Sequence, residues 1–218
     1  MTLHYADMIP FLPIFLQGLW KTIELSFYSL SIGVIFSILG GVARLSPNFI
    51  INKIAFLYVW IFRGTPLLVQ LFILYFGLPQ LGIRLEPMQA AVLGLSLNTG
   101  AYATEIVRSG IQSIDKGQRE AAESLGMSKF MTMYRVIAPQ AVKVMIPPMV
   151  NQFIMTIKNS SMVSLLTITE LFHTGEQVIV TTFRSFEVYT VIAFLYLIVT
   201  SLLMIVAGRL ERGLRLHD

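Results

Sequence analysis

Long apolar runs dominate this chain, and they do not alternate in the period-two manner of a half-buried strand. The first clean run covers residues 25–43, nineteen positions without a charge; it is entered from about Gly18 and closed by Arg44, so the span is expected at 18–43. The second covers 54–76 and is interrupted by Arg63-Gly64-Thr65-Pro66. A third, 87–107, carries Glu105 near its end, and a polar stretch of about 109–139 follows. The fourth, 144–166, has Pro147-Pro148 near its start and Lys158 inside, and the fifth covers 188–207 before a basic tail. Each is long enough for a helix across a hydrocarbon layer of about 30 Å. Backbone groups in lipid must be satisfied within helices or closed barrels, and continuous runs exclude the barrel. The pattern therefore predicts an all-α integral membrane protein with five transmembrane helices and one domain over residues 1–218. Ahead of the first run there is no basic segment, and Pro10 and Pro13 break the apolar pattern, so a cleaved signal is not expected.

Composition supports lipid as the solvent. Apolar residues make up 55% and charged residues 13%, with a mean hydropathy of +0.72. A soluble domain carries about 25% charged residues. The basic residues then set the orientation. Eleven of the sixteen, from Arg44 and Lys53 through the 108–143 segment to the C-terminal tail, fall on one side, against Lys21, Arg84 and Arg184 on the other. That asymmetry places the 109–139 segment and the C-terminus in the cytoplasm and the N-terminus outside. The net charge of +4 is thus a topology signal, not a nucleic-acid signal. With no cysteine and three scattered histidines, neither disulfide, thiol nucleophile nor metal site is expected.

Two local patterns stand out. Ser29, Gly33, Ser37 and Gly41 form a small-residue stripe that admits a close helix, either within the chain or in a second copy. In the cytoplasmic segment, Glu120-Ala121-Ala122 and Leu125 suit a short helix, Gly126 a left-handed residue beyond its end, and Ser128 the cap of a second helix running toward Pro139. Ala121, Ala122 and Leu125 would then form a small apolar ridge flanked by charge. The pattern alone fits a docking ridge and a plain amphipathic loop equally well.

Resemblance separates the two. Glu120-Ala121-Ala122, then Gly126, then Val136-Ile137-Ala138-Pro139 resembles the coupling loop of ABC-importer permeases, with Val136 and Ala138 replacing the usual larger apolar residues. The segments Arg63-Gly64-Thr65-Pro66-Leu67-Leu68-Val69-Gln70 and Asn98-Thr99-Gly100-Ala101-Tyr102, the latter followed by Glu105 and Arg108, resemble the polar amino-acid branch. The motifs fall in the family's order across roughly residues 15–213. Two further stretches, 76–80 and 113–118, look most like L-cystine permeases. The resemblance implies the type I importer permease fold in a bacterial inner membrane. It also implies a second permease chain, a cytoplasmic ATPase dimer that holds ATP and magnesium, and an extracytoplasmic amino-acid-binding protein. Glu120, Ala121, Ala122, Leu125 and Gly126 would couple to the ATPase. The chain has no G-x-x-x-x-G-K-[ST] loop to cradle phosphates, so no cofactor and no catalysis are expected of it. A rival reading is a self-sufficient carrier coupling ions through Glu105 and Lys158.

Polar groups within the apolar runs are the candidate substrate contacts. An ammonium in a membrane span is costly, by about 2.5–3.5 kcal/mol on insertion scales, and so marks function by default. Lys158 is followed by Asn159 and Ser160, while Gln152 lies seven residues before Asn159 on a neighbouring face. Asn98 and Thr99 fall at the middle of the third span. These six are expected to receive a polar amino acid, with Lys158 on its carboxylate; the competing reading has Lys158 snorkelling to the headgroups. Arg63, Gly64, Thr65 and Pro66 mark a break in the second span, where Arg63 either gates the path or caps free carbonyls. Glu105 and Arg108 are expected to pair locally, and residues 167–185 to form a short outer helix.

Overall fold

The computed structural model describes residues 4–215, and among these every regular element is helical. A 3-10 turn, Tyr5–Phe11, leads into α1 (Leu12–Arg44). Then come α2 (Phe49–Gly64) and α3 (Leu67–Phe72), the latter prolonged by irregular turns to Leu81. Next are α4 (Pro87–Gln112), α5 (Lys116–Ser124), α6 (Lys129–Thr132) and α7 (Ala138–Asn159). The chain ends with α8 (Leu171–Thr182) and α9 (Ser185–Arg215). Their ends follow from sequence. The Asn48 side chain accepts from the amides of Ile50 and Ile51, opening α2. Glu86 and Gln89 form a reciprocal capping box, with Pro87 at the first helical position of α4.

The central packing is α1 against α4. Gly18, Thr22, Ser26, Ser29, Gly33, Ser37, Gly40 and Gly41 form the buried face of α1. A Cβ at Gly40 would overlap Thr104, and one at Gly41 would overlap Val107, so the two backbones touch only because these side chains are missing. The small-residue stripe is therefore an intrachain seam. Two apolar clusters flank it. One joins Leu25, Leu71, Ala91, Leu95 and Leu166; the other joins Met8, Phe15, Leu171, Val178 and Ile192. The second cluster ties the N-terminal turn to α8 and α9, helped by Arg184, which pairs with Asp7 and lies against Glu187.

The helices depart from the expected spans in four ways. The first helix starts at Leu12, because Pro13 sits in its first turn and begins it instead of breaking it. The second run is not one helix: Phe49–Gly64 and Leu67–Leu81 meet at 106°. The fourth helix is shifted toward the elbow, starting at Ala138, and residues Ser160–Leu166 turn as 3-10. Lastly, among the described residues only Tyr5–Arg44 and Ser185–Arg209 are each both long and apolar enough to cross a membrane, with the bent pair qualifying as a unit. α4 and α7 are long, 26 and 22 residues. α4 is rich in Gly, Ala, Ser and Thr because it packs closely against protein, and α7 is made less apolar by Pro147, Pro148, Asn151, Gln152 and Lys158.

Candidate functional site

The elbow is built as a two-helix step. Asp115 caps α5 through the Gly117 amide, and the helix closes in a Schellman arrangement: the amide of Gly126 donates to Glu123 O at 3.0 Å and that of Met127 to Ala122 O at 3.2 Å. Gly126 has φ +82°, the left-handed region where a Cβ is strained. Ser128 then caps α6 by accepting from the Met131 amide. The most exposed large apolar residues here are Leu125, Phe130 and Tyr134, with Met131 less so, and the Phe130 and Tyr134 rings lie parallel at 6.2 Å. Glu120 and Ala121 are exposed, but Ala122 turns inward and is 4% exposed, so it anchors the helix instead of joining the ridge. Phe130 and Tyr134 are the ridge members that sequence reasoning missed.

The break between α2 and α3 gathers a polar core. Gln70 donates through Nε2 to the carbonyls of Phe62 and Thr65 and to Thr65 Oγ1, at 2.8–3.1 Å. Asn98 Nδ2 donates to Phe62 O at 3.1 Å and to Gln70 Oε1 at 3.0 Å. Tyr58 reaches Leu97 O at 2.7 Å. The carbonyls freed by the break are thus capped by Gln70 and Asn98, not by Arg63. Arg63 is exposed, its guanidinium 5.1 Å from the centroid of the Tyr102 ring.

The six expected substrate contacts do not converge on one another. Asn98 serves the break, and Thr99 Oγ1 pairs with Thr156 Oγ1 at 2.9 Å in the α4–α7 seam. Gln152 accepts from Thr156 through its backbone carbonyl, and Ser160 is buried with its hydroxyl on Ile157 O. Asn159 is half-buried. Lys158, in the last turn of α7, is exposed. Glu105 does pair with Arg108, at 2.8 Å, and also with Arg44, which Asn52 holds in turn; three helix ends are locked together. Residues 167–185 contain α8, as expected, but its capping residue Glu170 is fully buried. It accepts from the His173 amide, Thr22 and Tyr196, tying α8 to α1 and α9. Among the described residues no group of His, Asp and Glu is placed to hold a metal ion.

The family model described as "Binding-protein-dependent transport system inner membrane component" matches residues 33–216. The chain belongs to this family. The glutamine transport system permease protein of Escherichia coli K12 is 36% identical over 218 residues, covering 99% of this chain and 100% of its own length. The L-cystine permease protein of Bacillus subtilis is 40% identical over 205 residues, covering 94% of this chain and 88% of its own. The arginine permease protein of the same species is 36% identical over 219 residues, with full coverage of both. A crystal structure of an amino acid ABC transporter with histidines matches with TM-score 0.93 and 38% identity, covering 98% of this chain and 100% of that one.

The fold is that of the type I ABC-importer permeases, and the chain is an inner-membrane permease subunit. Such subunits are not themselves enzymes. The family works with an ATPase, a substrate-binding protein and a second permease chain. The ion-coupled carrier reading gives way to this one. The Glu105 cluster is then best understood as the structural lock its geometry describes.

Proposed function

We propose that this permease carries a neutral polar amino acid of the glutamine or cystine kind, driven by an ATPase dimer docked on the 118–139 elbow. Magnesium and ATP sit on that partner. The amino-acid class is supported by full-length likeness to amino-acid permeases. The neutral side chain rests on one observation. Among the described residues of the apolar helices every carboxylate is already engaged: Glu24 pairs with Lys21, Glu105 is held by two arginines, Glu187 lies against Arg184, and Glu170 is buried where α8 meets α1 and α9. An uncompensated charge in low dielectric is expensive.

The path is read as entered near Lys158. That residue lies fifteen positions beyond Lys143 in the same helix, about 22 Å by helical rise and past the bilayer midplane. Asn159 is its neighbour in the chain, whereas Asn98, Thr99 and Ser160 are engaged in helix packing and Gln152 lies nearly two turns back in α7. The chain crosses five times with the N-terminus outside, the bent α2–α3 unit counting as one crossing.

Two measurements test this reading. Proteoliposomes holding the permease, its ATPase and its binding protein should take up labelled L-glutamine or L-cystine, with L-arginine and L-lysine transported at least tenfold more slowly. Faster uptake of the cations would reject the neutral assignment. For topology, Arg84→Cys in intact cells should react with a membrane-impermeant maleimide from outside, whereas Lys116→Cys should need permeabilised cells. The reverse pattern would invert the proposed orientation.

A further inference from the structure

We propose that Arg63, held over Tyr102 at the α2–α3 break, receives the α-carboxylate of the amino acid at mid-membrane. The inference deepens the amino-acid reading above and rests on it. Arg63 lies ten residues beyond Lys53 in α2, about 15 Å by helical rise and so near the centre of a hydrocarbon layer of about 30 Å. The other arginines near this groove are paired: Arg44 and Arg108 share Glu105. Arg63 has no carboxylate partner among the described residues; its one defined contact is the Tyr102 ring. A guanidinium exposed at that depth must face water, a partner chain or a ligand, since lipid tails offer it nothing.

The local geometry favours a small carboxylate. The Tyr102 ring restrains the guanidinium over its face and leaves N–H groups for the two parallel bonds a carboxylate accepts. The group opens on a groove of about 380 Å³ walled by Trp60 and Val59, with the Glu105 lock at its cytoplasmic end. Beside it, nothing lies within 4 Å of where a Gly64 side chain would begin, so a ligand can approach the backbone there. Interrupted helices at the midplane are the usual place for a transporter to hold its cargo. Lys158 attracts the carboxylate at the outer mouth, and Arg63 holds it deeper with two bonds instead of a point charge.

The test uses the permease–ATPase complex in phosphatidylcholine nanodiscs without the binding protein, so that selectivity belongs to the permease. Labelled L-glutamine, L-cystine, L-histidine and L-arginine are screened, and the one bound is compared with its α-carboxamide. Wild type should bind the carboxamide at least tenfold more weakly than the acid, a comparison that needs no variant. Arg63→Lys should weaken the acid about tenfold, because charge remains but the paired bonds do not, and should leave the carboxamide unchanged. Arg63→Gln should weaken the acid further and bring acid and carboxamide to equal affinity. Equal binding of acid and carboxamide by wild type overturns the assignment, as does undiminished acid binding by Arg63→Gln. A loss seen only in discs containing phosphatidylglycerol assigns Arg63 to a lipid phosphate and also overturns it. If no amino acid of the panel is bound or taken up by wild type, the amino-acid reading itself fails. If uptake is normal and only the Arg63 dependence is missing, this inference fails alone.

Discussion

Gly126→Val is expected to leave the permease inserted and assembled while abolishing the stimulation of ATP hydrolysis by the loaded binding protein. Gly126 stands at φ +82°, with nothing within 4 Å of where a side chain would begin, so the difficulty is backbone conformation and not space. A non-glycine residue there costs about 1–2 kcal/mol, and a β-branched one more. The two bonds that end α5, from Gly126 to Glu123 and from Met127 to Ala122, depend on that conformation. α6 has only four residues and no core of its own, so it follows whatever direction the elbow takes. The exposed Phe130–Tyr134 pair would then be redirected relative to α5. The elbow lies outside the apolar spans, which is why insertion should survive. Gly208→Ala is the control: it is equally open but has no left-handed φ, and should couple normally. Normal stimulation in Gly126→Val would remove the elbow from the coupling pathway.

Much of this elbow is legible in the sequence because its signals are local. A glycine just past a short helix and a serine three residues before the amide it caps need no knowledge of the rest of the chain. The composition of the ridge is not local. Which side of α5 is covered is decided by the 133–137 turn and α6 that pack against it, and that turns Ala122 inward. Tyr134 sits in a π turn, Met133–Ile137, whose wider spacing shifts faces away from the 3.6-residue period that selects ridge positions. The spans divide in the same way. α1 and α9 show plainly as apolar runs because large parts of both face lipid, whereas α4 is recognisable more by its small residues, the complement of the α1 stripe. Glu170 gives no signal, since its partners Thr22 and Tyr196 lie 148 and 26 residues away.

At the break between α2 and α3 the structure is held in part by a side chain distant in sequence. Arg63-Gly64-Thr65-Pro66 announces a discontinuity, but the 106° turn is held by side chains to which the pattern assigns other work or none. Asn98 reads as a pocket residue, and Gln70 sits inconspicuously in an apolar run. Gln70 is 6% exposed, and its Nε2 is surrounded by three oxygens: Phe62 O, Thr65 O and Thr65 Oγ1. Gln70→Leu keeps roughly the volume and removes the donor, which should cost about 1–3 kcal/mol for buried acceptors left unpaired. Gln70→Glu keeps the shape but turns an acceptor, or a charge, toward those three oxygens, and should cost more than the leucine change. The thermal unfolding midpoint of the purified complex in one detergent should therefore fall in the order wild type, Leu, Glu. For an isolated apolar site leucine would instead be the most stable of the three, because it is far cheaper to bury than glutamine. Both variants should also slow uptake, since Arg63 takes its position from the end of the helix that Gln70 holds. A glutamate variant as stable as wild type would mean that the carbonyls of the break find their donors elsewhere.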